Sequence, residues 1–129
     1  MGATHFSGPV YSEGGFINQA ITIATAGPVT YTMPQILAGL ILRDAAGANR
    51  TDTTPTAAQV VAGIAEVKVG SAADFFVRNI SGGAFTITVQ GGAGVTGTVP
   101  AIAQGASTHM ALVVTNATPG AEAVALYVV

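Results

Sequence analysis

The chain has 129 residues, enough for a single domain whose core needs no covalent staples. It contains no cysteine, which excludes disulfides, thiolate metal sites and a cysteine nucleophile. Charged residues make up only 8% of it and the net charge is −2, and the scattered Arg43, Arg50, Lys68 and Arg78 do not form the concentrated basic patch that nucleic-acid binding requires.

Residues 1–16 carry glycines, a proline and the aromatics Phe6, Tyr11 and Phe16. They read as an extended N-terminal arm, whose aromatic side chains can anchor to a neighbouring surface or fold back on the chain's own core. From residue 17 onward the pattern is that of one β domain. Ile21-Thr22-Ile23-Ala24-Thr25 alternates apolar with small polar residues, the period of a half-buried strand. After Gly27-Pro28, the segment Val29-Thr30-Tyr31-Thr32-Met33 alternates again. Ile36 to Leu42 is almost wholly apolar and is expected to be a buried strand, although Gln35-Ile36-Leu37-Ala38 also suits a helix start.

Asp44 to Pro55 is polar and reads as a loop feeding one short helix. Thr54 is a candidate cap and Pro55 suits a first turn. Thr56-Ala57-Ala58-Gln59 has the spacing of a capping box, and Val60, Val61 and Ile64 supply the apolar stripe. Beyond Gly70 the chain reads as β-hairpins. Phe75–Ile80 and Phe85–Val89 flank a Ser81-Gly82-Gly83 turn, and Thr98–Ile102 follows a glycine-rich loop. Met110–Val114 and Val124–Val128 flank Thr118-Pro119-Gly120. Strands at this spacing with one short helix predict an all-β sandwich or jelly roll.

No membrane-spanning helix is expected. The most apolar run, Met33–Leu42, contains Pro34 and Gln35 and stops at Arg43, short of the ~20 residues a span requires. The N-terminus lacks the basic and apolar regions of a secretory signal, and Phe6 stands where myristoylation after Gly2 wants Ser or Thr, so synthesis in the cytoplasm is expected.

Each motif with chemical potential meets a physical objection. Gly92-Ala93-Gly94-Val95-Thr96-Gly97 matches the dinucleotide fingerprint, but β-branched residues and Pro100 follow where a helix should begin. The two histidines, His5 and His109, are far apart in sequence, so no metal site is expected. Ser107-Thr108-His109 lacks a nucleophile elbow, and no carboxylate is near it in sequence to orient the imidazole. Asp44 and Asp52 share a loop, where carboxylates are ordinarily solvated. Asn49, Asn79 and Asn116 sit in sequons, which mean little without a secretory signal. The expectation is a non-enzyme with no cofactor. A folded monomer of this size exposes about 6,200 Å², or about one charge per 600 Å² here, so much of its surface calls for covering by a partner or by copies of itself.

Several segments resemble small virion proteins of tailed bacteriophages. They are Ala3-Thr4-His5-Phe6-Ser7-Gly8-Pro9-Val10 with Gly15-Phe16, the run Thr51–Val61, the run Val77–Thr88, and Val113-Val114-Thr115-Asn116. The chain is thereby similar to capsid decoration, or cement, proteins. That resemblance implies a jelly-roll-like antiparallel β-sandwich with one short helix and an extended arm. It also implies assembly as a homodimer or homotrimer on the outer capsid surface of a virion, bridging major capsid protein subunits, with no nucleic acid or membrane as partner. Within the arm, His5, Phe6, Tyr11 and Phe16 are the candidate partner-binding residues. The alternative is a receptor- or carbohydrate-binding fibre or head module of a virion.

Overall fold

A computed structural model of the chain describes residues 17–129. The arm expected over 1–16 lies outside the described residues. The elements in chain order are β1 (Gln19–Ile23), α1 (Met33–Ala38), β2 (Gly39–Arg43), β3 (Arg50–Thr53), α2 (Ala57–Gly63), β4 (Ala72–Asn79), β5 (Ile87–Gln90), β6 (Val95–Thr96), β7 (Thr98–Ile102), β8 (Ser107–Asn116) and β9 (Ala123–Val128).

The fold is mainly β, as expected, but two parts of the expectation are corrected. The first is the single helix, since the described residues form two. In α2, Thr56 is the N-cap: its side chain accepts from Gln59 N–H while the Gln59 side chain accepts from Thr56 N–H. The same reciprocal box closes α1 through Thr32 and Gln35. A strand over Val29–Met33 therefore does not form; only Thr30 bridges to Thr53. The apolar run expected as one strand divides at Gly39, which caps α1 at φ 100° and starts β2. That left-handed conformation favours glycine, and it turns the chain from helix to strand without a connecting loop.

The second correction concerns strand direction. The large sheet has the order β1-β2-β4-β8-β9-β6 and the small one β3-β5-β7. β1, β2 and β4 are mutually parallel, β4-β8-β9 antiparallel, and β6 parallel to β9. In the small sheet β3 and β5 are parallel and β5 and β7 antiparallel. Parallel neighbours need long crossovers. The β1–β2 connection supplies one by carrying α1, and the β2–β4 connection by carrying β3 and α2. β3 itself lies inside the segment expected to be loop. The Ser81-Gly82-Gly83 turn does not close a hairpin either, because β4 and β5 belong to different sheets. The β8–β9 hairpin is as expected.

Both sheets contribute to one core. Ile41, Phe75, Val77, Met110, Leu112 and Leu126 come from the large sheet, and Ile87, Val89, Val99 and Ile102 from the small one. Met33 and Ile36 of α1 and Val60 of α2 join them. Buried Asn79 stitches the layers at one end. Its amide donates to the carbonyls of Phe85 and Ile102, and its Oδ1 accepts from Ser81 N–H. No described helix is long and apolar enough to cross a membrane.

Candidate interaction surface

Strand alternation assigns the two faces of the large sheet. With Ile41, Phe75, Val77, Met110 and Leu112 in the core, their neighbours Leu40, Leu42, Phe76, His109 and Ala111 occupy the opposite face. Register aligns them in rows: Ala20, Leu40, Phe76 and His109 in one, and Thr22, Leu42, Arg78 and Ser107 in the next. Asp74, Ala111 and Tyr127 form a third. The helices and the small sheet all contribute to the core on the other side, and no described helix or strand lies over this face.

The ionisable groups of the face are held by their own neighbours. His109 Nε2 lies 2.8 Å from Asp74 Oδ2, and its ring stacks on Phe76 with centroids 4.2 Å apart and planes 10° from parallel. Arg78 Nη1 donates to Ser107 Oγ at 3.2 Å. The expectation that no carboxylate orients His109 is corrected here: Asp74 does so from the adjacent strand, where sequence distance hides it. Ser107 answers to Arg78 and makes no bond to the imidazole, so it does not complete a triad with Asp74 and His109. Tyr127 is 54% exposed, giving the face an aromatic at its β9 side.

Behind one end of the sheet sits a buried ion pair. Arg43 and Asp52 are both fully buried, with Nε 2.7 Å from Oδ2. The guanidinium also donates to Asp52 Oδ1 and to the carbonyls of Thr25, Gly27 and Asp44. Asp52 further accepts from Val29 N–H and from the Tyr31 hydroxyl at 2.6 Å. Burial pushes the Tyr31 phenol well above its ordinary range. The Asp52 charge and hydrogen bond add to the rise, and Arg43 opposes it. Asp52, expected to be solvated in a loop, is instead the acceptor that closes this cluster. Because every donor and acceptor is matched inside the protein, the cluster is structural rather than chemical.

The glycine-rich motif proves to be packing. Gly92 N–H donates to Thr54 Oγ1 and Ala57 N–H donates to the Ala93 carbonyl, so the loop lies against the start of α2. Gly97 has φ 122°, and a Cβ there would come within 2.5 Å of the Leu126 carbonyl oxygen. The sequon residue Asn79 is fully buried. A cleft of about 490 Å³ opens between the helices, lined by Tyr31, Met33, Pro34, Pro55, Gln59 and their neighbours. Of its polar side chains, Thr32 and Gln59 are committed to capping and Tyr31 to Asp52. No group of three or more His, Asp or Glu among the described residues is placed to hold a metal.

Of the candidate partner-binding residues, His5, Phe6, Tyr11 and Phe16 all lie outside the described residues. The sheet face was missed in the sequence because alternation separates two faces without saying which of them is covered. Scarcity of charge is the signal that points to it. Searched against family models, curated proteins and solved structures, the chain matches none.

Proposed function

We propose that the protein is a non-enzymatic virion structural protein that decorates the outer capsid surface and bridges neighbouring major capsid subunits. The observation that supports this most is the face of the large sheet that no described element covers, which carries Leu40, Leu42, Phe76 and Tyr127 and whose Arg78 and His109 are engaged by Ser107 and Asp74. Such a face gains little from water and buries against a partner without stranding charge. A small binding energy per copy suffices on a shell, because many copies act together. In this reading the aromatic arm, through His5, Phe6, Tyr11 and Phe16, adds a second attachment, and the protein associates with itself as well as with the shell. The jelly-roll-like architecture of cement proteins belongs to the same proposal, here with a mixed large sheet.

The test is co-sedimentation of the purified chain with empty, expanded capsids of the virus whose genome encodes it. Saturable binding is expected, weakened when Phe6, Tyr11 and Phe16 are replaced by serine. Absence of binding to such shells, with a positive glycan-array signal, would turn the assignment to the fibre or head module.

A further inference from the structure

We infer that the edge of β1, open among the described residues, is a self-association site, at which β1 of a second copy adds antiparallel across a two-fold axis. This gives the self-association in the reading above its surface and its partner.

A sheet edge presents unpaired N–H and C=O groups, and folded proteins blunt such edges with proline, charge, brevity or a cover. Three of the four edges here are blunted. β3 is covered by the segment before α1, where Tyr31 N–H donates to the Thr53 carbonyl and Thr53 N–H to the Val29 carbonyl. β7 carries Pro100, which has no N–H to offer. β6 is only two residues long and runs into Gly97.

Among the described residues β1 has none of these devices. Its five residues, Gln19-Ala20-Ile21-Thr22-Ile23, include no charge and no proline, and its pairing with β2 is free of bulges. Among the described residues nothing lies beyond it in the sheet order. Two large apolar side chains stand exposed at the same end: Ile17, just before the strand, is 48% exposed, and Leu37 of α1, the helix leading into β2, is 52% exposed.

The strand is also self-complementary. Asp44 N–H donates to the Ile23 carbonyl, so by the alternation of a strand the odd-numbered residues bond to β2. The N–H and C=O of Ala20 and Thr22 then point to the open side. A two-fold axis through Ile21 sets Ala20 opposite Thr22 of the second copy and Thr22 opposite its Ala20. Each pair exchanges both backbone bonds, and the two Ile21 residues form the closer, non-hydrogen-bonded pair between them. No like charges meet, and the six-stranded sheet doubles into one continuous sheet with the faces opposite the core on one side.

Thr22→Pro tests this without disturbing the monomer. It removes an N–H that the chain's own sheet does not use, at an edge where proline is tolerated. In size-exclusion chromatography with light scattering, the full chain is expected at the dimer mass. T22P should run at half that mass, with an unchanged far-UV spectrum and melting temperature within a few degrees of the parent. The chain has no cysteine, so Ile21→Cys introduces a sole thiol. It should form an inter-chain disulfide under mild oxidation, while Ala101→Cys on β7 should not. A monomeric parent would overturn the inference, the edge then being closed within the chain by residues 1–16 or left unused. A T22P protein that keeps the parent's oligomeric mass, or equal cross-linking at positions 21 and 101, would overturn it too. Shell binding is a separate readout: a dimer that ignores capsids refutes the decoration reading alone, and a monomer that binds them refutes this one alone.

Discussion

Arg43 shows why a charged residue can be a core residue in a protein that has so few of them. All its hydrogen-bonding capacity is used on Asp52 and on three carbonyls, and deleting either partner leaves a buried charge with nothing to answer it. Asp52→Ala or Arg43→Met is expected to cost about 3–5 kcal/mol in urea unfolding. The double change should cost clearly less than the sum of the two, the signature of a coupled pair. Tyr31 makes a separate prediction. Below about pH 10 its phenol is protonated in both folded and unfolded chains and adds no pH dependence. Above that, only the unfolded phenol ionises, so stability falls as pH rises, by up to ~1.4 kcal/mol per pH unit. In Tyr31→Phe that part of the alkaline loss disappears, at a lower starting stability because Asp52 loses a donor; urea titrations from pH 7 to 11 distinguish the two. None of this was legible in the sequence. Arg43 and Asp52 look like ordinary surface charges flanking a loop, and only the burial of β2 against β3 reveals them as partners.

At the scale of elements, local signals were read well and pairing poorly. The Thr56–Gln59 box located α2 because a cap is written in adjacent residues. The same box at Thr32–Gln35 was legible in principle, but alternation over Val29–Met33 masked it, and Gly39 joined a helix and a strand into one apolar run. Which strands pair is a property of crossovers: α1, inside the β1–β2 crossover, lies in a segment that reads as strand, and β3, inside the β2–β4 crossover, in one that reads as loop. Glycine gives a sharp test at this scale. Gly97→Ala forces a side chain into a left-handed conformation and against the Leu126 carbonyl, so a loss of about 2 kcal/mol or more is expected. Gly27→Ala, with open space around it and no such conformation, should stay within about 0.5 kcal/mol of the parent. Thermal unfolding monitored by circular dichroism measures both.

Over the whole molecule, the charge count leads to the expectation of a surface that wants covering, and the proposed function places it on the face of the large sheet that no described element covers. The face of the large sheet left open by the described elements was illegible until the core side was known, since Leu40 and Ile41 are alike in sequence and differ only in direction. Placing charge there separates binding from stability. Tyr127→Lys is expected to reduce shell binding at least about tenfold in co-sedimentation while moving the melting temperature by only a few degrees, because this exposed side chain contributes little to the fold. The buried ion pair has a further consequence in time rather than in energy. Arg43 grips Thr25 and Gly27, the residues that leave β1, and its acceptor Asp52 lies in the other sheet. Loops this short close early, Asp52 lying nine residues from Arg43 and the carbonyls of Thr25 and Gly27 eighteen and sixteen residues from it. On the self-association inferred above, the strand that bears the open edge is therefore secured before the molecule meets a second copy.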